Sequence, residues 1–146
     1  MKQKVVIEII SSLLILLFVY AASSKLIEYS TFKIQLMNLL FFKTFAGLIA
    51  WIVPSVELLT VLLLTIKVTR IIGLYASLIM LLIFTLYIAG MLLSGKQLPC
   101  SCGGIIQQFS WKEHLIFNIF FLLLSFAGIL LERKQKLSLN NLNRTT

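Results

Sequence analysis

The stretch from Ile71 to Leu93, IIGLYASLIMLLIFTLYIAGMLL, runs for 23 positions without a charged residue. A helix of that length rises about 34 Å, enough to cross a hydrocarbon layer of roughly 30 Å. A buried strand needs far fewer apolar residues, and barrel strands show as alternating segments of about 10 residues. No such alternation is present. The stretch therefore reads as one transmembrane helix, and the rest of the chain is measured against it.

Three further segments match it: Val5 to Ala22, Ala46 to Ile66 and Leu115 to Leu131. The 146-residue chain is 60% apolar and only 12% charged, against the quarter or so usual in soluble domains. An ordinary water-soluble globule is excluded. The expected fold is all-α and integral to the membrane: a bundle of four transmembrane helices over residues 1–131, with a polar cytoplasmic tail over 132–146. That tail, carrying Asn140, Asn141 and Asn143, is expected to be disordered. The stretch Ser23 to Phe45 places Leu26, Tyr29, Phe32, Leu36, Leu39 and Leu40 at helical spacing, with Lys25, Glu28, Lys33 and Gln35 between them. It reads as an amphipathic interfacial helix between spans 1 and 2. The first segment also has the outline of a secretory signal, with a basic start and Ala21-Ala22-Ser23 after the apolar run. Its 18 residues exceed the usual apolar core of about 7–15, so it is expected to stay as a span.

The net charge is +8, but the basic residues punctuate the ends of apolar runs rather than forming a patch. The lipid bilayer, not nucleic acid, is the partner this implies. With the N-terminus inside, eight Lys and Arg fall on the cytoplasmic side (Lys2, Lys4, Lys67, Arg70, Arg133, Lys134, Lys136, Arg144). Five fall outside (Lys25, Lys33, Lys43, Lys96, Lys112). The excess favours both termini in the cytoplasm of a bacterial inner membrane. The connection between spans 3 and 4 then faces the oxidising side, where disulfides persist.

That connection holds the only two cysteines, in Cys100-Ser101-Cys102, followed by Gly103 and Gly104. Pro99 stiffens the approach, and the glycines permit backbone angles that other residues avoid. A disulfide needs Cα atoms about 4.4–6.8 Å apart, so a pair two residues apart closes only on a bent backbone. Strained, exposed disulfides are the labile ones. One reading is a redox pair. Others are an inert link, two unpaired thiols or a soft Cu(I) site, although no methionine or second histidine flanks it. Cys102, next to the glycines, is the candidate attacking thiol and Cys100 the resolving one.

Four polar residues in or beside the spans extend the candidate set. His114, the only histidine, lies just after Ser110-Trp111-Lys112-Glu113, which fits a capping box opening the fourth helix. A histidine there could shuttle protons for thiol exchange. Asn118, one turn on, is expected to face the bundle. Glu57 is costly in lipid unless paired. A helix opening near Pro54 would put it near the outer interface and the positive helix end, level with Lys25. A structural Lys25–Glu57 pair joining spans 1 and 2 is the expectation; a role in holding a substrate or a quinone head group is the alternative. Tyr29, Trp51 and Trp111 fit an interfacial aromatic belt.

Taken in order, Ser24-Lys25 after the first span, Pro54-x-x-Glu57 in the second and Cys100-x-Cys102-Gly103 between the third and fourth resemble a known pattern. It is that of the MauE branch of the DoxX-like redox-associated membrane proteins, over roughly Val5 to Leu131. The resemblance implies a four-helix inner-membrane protein, with Cys100 and Cys102 as the family's cysteine pair and Lys25 and Glu57 as its polar positions. It also implies a part in maturing a disulfide-rich exported protein, as in methylamine utilisation. Ser101 stands where relatives often carry glycine, which implies a diverged branch. The arrangement is similar in shape to membrane thiol oxidases of the DsbB and vitamin K epoxide reductase type.

The function expected is thiol–disulfide exchange at an outward-facing Cys-x-Cys loop during maturation of exported proteins, a membrane oxidoreductase activity. A periplasmic thioredoxin-like protein or a disulfide-containing client would be the partner. A quinone is the cofactor the scheme admits, though no residue pattern demands one. A non-catalytic scaffold for a periplasmic maturation system and a Cu(I)-handling protein are the alternatives.

Overall fold

A computed structural model describes residues 2–37, 44–93 and 111–144. Among these described residues five helices follow in order: α1 (Lys2–Ile27), α2 (Tyr29–Met37), α3 (Ala46–Thr65), α4 (Arg70–Leu93) and α5 (Trp111–Arg144). Among them, α1, α3, α4 and α5 are long and apolar enough to cross a membrane. They close into a ring in which α1 packs on α3, α3 on α4, α4 on α5 and α5 back on α1.

Each helix faces inward along one stripe at helical spacing. On α1 it comprises Ile7, Ile10, Leu14, Phe18, Ala22 and Lys25; on α3, Ala46, Ala50, Pro54, Glu57, Thr60 and Leu64. The core forms where the stripes meet, from Ile10, Leu14 and Phe18 of α1, Leu64 of α3, Leu74 and Leu81 of α4, and Phe121 and Ile129 of α5. The opposite faces carry Leu16, Leu62, Leu86, Ile116 and Leu123, all more than half exposed. Apolar residues on both faces suit a helix with protein on one side and lipid on the other.

The turn between α3 and α4 is short and tightly bonded. Thr69 Oγ1 donates to Leu63 O at 3.1 Å, satisfying a carbonyl at the end of α3. The backbone N–H groups of Ile72 and Gly73 donate to Thr69 O at 2.9 and 3.0 Å, opening α4. At Gly73 a Cβ would lie 2.8 Å from the Leu64 backbone nitrogen, so only glycine permits this approach of the two helices.

Three differences from the sequence reading stand out. First, α3 begins at Ala46, where the apolar segment begins, and not near Pro54, so Pro54 is inside the helix rather than in its first turn. Proline forfeits its own N–H bond and its ring crowds the carbonyl one turn back, and membrane helices tolerate the carbonyl this frees. Glu57 is therefore the twelfth residue of α3, beyond the first-turn reach of the helix dipole. Second, the chain after Leu131 is helical to Arg144 instead of disordered. Lys, Gln and Leu dominate Lys134 to Leu139, no Gly or Pro intervenes, and extending an existing helix is easier than starting one. Third, residues 23–27 complete α1, and the described part of the following helix is Tyr29–Met37, with Leu39 and Leu40 of the expected interfacial helix outside the described residues. Glu28 barely interrupts the ladder, since its N–H bonds to Ser24 O and its carbonyl accepts from Phe32, both at 3.0 Å. No residue of α2 is fully buried, and it packs mainly on α3.

Candidate functional site

Lys25 and Glu57 both sit on the inward stripes of their helices, and those helices are neighbours. The ammonium is thereby directed at the carboxylate: Lys25 Nζ donates to Glu57 Oε1 at 2.8 Å, with the two residues 4% and 0% exposed. A longer contact runs from Nζ to Ala21 O at 3.4 Å. The ring of Phe84 lies 5.2 Å from Nζ and that of Phe32 5.9 Å, both within cation–π range. The other carboxylate oxygen, Glu57 Oε2, is buried with no hydrogen-bond partner among the described residues.

The fourth span contributes a second pair of polar groups. His114 and Asn118, one turn apart on α5, are 7% and 6% exposed. Asn118 Nδ2 donates to Thr85 Oγ1 at 3.4 Å, and Thr85 Oγ1 donates to Leu81 O at 2.6 Å, which links α5 to α4. Deeper in the same interface, Ser125 Oγ donates to Leu74 O at 3.0 Å.

These two clusters line one cavity of about 500 Å³, which Lys25, Glu57, His114 and Asn118 share with Phe32, Phe84, Tyr20 and Tyr87. Its walls come from the end of α1, from α2, from Ile49, Val53 and Glu57 in the first twelve residues of α3, from the last half of α4 and from the start of α5. The cavity therefore lies at the bundle end where the chain leaves α4 at Leu93 and enters α5 at Trp111. Tyr29 and Trp51 pack together at the same end, with ring centroids 5.6 Å apart.

Of the residues singled out in the sequence, Lys25, Glu57, His114 and Asn118 come together here. Cys100, Cys102, Gly103 and Gly104 lie outside the described residues, as does Ser110 of the capping box. Sequence reasoning missed the α4 wall. Leu81, Phe84 and Ile88 of that wall follow i, i+3, i+7 spacing, but in an uncharged span every face looks apolar and nothing marks the inner one. Among the described residues no group of three or more His, Cys, Asp or Glu could hold a metal ion. Chemically the site offers an ammonium donor, a carboxylate acceptor and an imidazole able to do both, enclosed by aromatic walls.

No curated protein matches the chain, and neither does any solved structure. The family model described as methylamine utilisation protein MauE matches residues 3–131, nearly the whole chain. With four helices able to span a bilayer, this chain is a multi-pass membrane protein and belongs to the MauE family.

Proposed function

We propose that this protein resides in a bacterial inner membrane and exchanges thiols and disulfides with exported proteins as they mature, through Cys100 and Cys102. Both termini lie in the cytoplasm, α2 lies along the outer interface, and the cysteine segment is on the outer side. The observation that carries this reading is the placement of the polar cavity. His114, Lys25 and Glu57 gather at the bundle end to which the segment 94–110 is tethered at both its ends.

A thiolate, not a thiol, attacks a disulfide, so exchange needs a group to take the proton. His114 stands at the fourth position of α5, twelve residues beyond Cys102, and an imidazole can both accept and donate a proton. It serves as the proton carrier. Exchange conserves electrons: each disulfide formed in a client is one lost from the pair, by way of a mixed disulfide. The Lys25–Glu57 ion pair clamps α1 to α3 and so holds the cavity walls in place.

The test replaces both cysteines by serine in cells and follows the disulfide state of exported thiol proteins at equal membrane levels of the two forms. Accumulation of reduced or mispaired clients supports the reading. Unchanged clients would leave a non-catalytic scaffold for a periplasmic maturation system.

A further inference from the structure

We propose that the cavity at the Lys25–Glu57 end of the bundle binds the ring head of a lipid-soluble quinone. Its service as electron acceptor for the cysteine pair rests on the function proposed above; the binding itself does not.

The volume, about 500 Å³, falls within the range of small-molecule sites. Ile83 and Leu86, more than half exposed on the lipid-facing side, belong to its lining, so an occupant can arrive from the bilayer. Phe32 and Phe84 place aromatic rings on the lining, where a ring head can pack against them. The charges select the head group. Lys25 is already neutralised by Glu57 at 2.8 Å, so a phosphate or carboxylate head meets no net positive charge. A neutral head with hydrogen-bonding oxygens meets donors and an acceptor. An ammonium has three N–H groups, and Lys25 directs one to Glu57 Oε1 and a longer one to Ala21 O. A quinone carbonyl can accept from the third. The reduced form has hydroxyl groups that donate, and Glu57, a lining residue whose Oε2 has no partner among the described residues, supplies the carboxylate to accept from them. One site thus suits both oxidation states.

The electron count closes. Two thiols joining as a disulfide release two protons and two electrons, and a quinone takes up two of each to become a quinol. His114, on the cavity wall, can pass the protons.

The test titrates decylubiquinone into the detergent-purified full chain by calorimetry, with decanol as the ringless control. Saturable binding of one decylubiquinone per chain, with decanol at least tenfold weaker, is expected. It should persist in the double variant Cys100→Ser/Cys102→Ser, which separates this site from the fate of the thiol reading. Val53→Phe, which fills the cavity from α3, should weaken binding at least tenfold, and Leu59→Phe on the outer face of α3 should not. A photoactivatable azidoquinone on the native chain, which needs no variant to fold, should label peptides carrying Lys25, Phe84 or His114. Binding that decanol matches, or labelling confined to other peptides, would overturn the proposal.

Discussion

Lys25 and Glu57, thirty-two residues apart, meet at 2.8 Å inside the bundle with almost no exposure. Removing both ions from water costs several kcal/mol each, and their attraction recovers this only while both are present. Lys25→Met or Glu57→Leu alone should therefore destabilise the fold by about 3–5 kcal/mol, because each leaves one charge buried and unpaired. The double substitution should recover most of that loss. Denaturant unfolding in detergent measures it; singles as stable as the native chain would contradict the clamp.

Gly73 and Gly90 share α4 but not its surroundings. Alanine at Gly73 puts a methyl 2.8 Å from the Leu64 backbone nitrogen, whereas at Gly90 the methyl would meet nothing within 4 Å among the described residues. Gly73→Ala should cost about 1–3 kcal/mol through forced separation of α3 and α4. Gly90→Ala should be neutral or stabilise by up to about 1 kcal/mol through helix propensity. Unfolding midpoints of the two variants check the contrast.

Thr85 is satisfied on its own helix through Leu81 O at 2.6 Å, while its link to Asn118 is long at 3.4 Å. Interhelical hydrogen bonds in membranes average about 0.6 kcal/mol. Thr85→Val should thus lower stability by less than about 1 kcal/mol, and a loss several times larger would mean that this contact holds α4 to α5.

As proton carrier, His114 should matter to rate rather than to folding. General acid–base groups contribute on the order of a hundredfold or more. His114→Gln should slow thiol exchange by about that factor at pH 7 with membrane levels unchanged, measured by quenched-flow alkylation. An unaltered rate would remove the imidazole from the scheme.

The spans were legible because lipid imposes a length and a polarity that few other settings demand. The meeting of Lys25 with Glu57 could be read because an unpaired carboxylate in a span needs a cation at its level. The apolar run from Ala46 marked the start of α3, but the alternative of a helix opening near Pro54 misled on Glu57: proline usually signals a first turn, and here it sits inside a helix that the run before it has already begun. The helical end of α5 was hidden for a similar reason, since its polar composition says nothing of the long span that nucleates it. The inner face of α4 at Phe84 and Thr85 becomes visible only when α1 and α5 are set against it.

The most direct test of an outward-facing thiol pair is alkylation of intact cells with a membrane-impermeant maleimide, before and after mild reduction. The account predicts that Cys100 and Cys102 resist labelling when joined and take up two labels after reduction, without cell lysis. Labelling that requires broken cells, or that is unchanged by reduction, would contradict it.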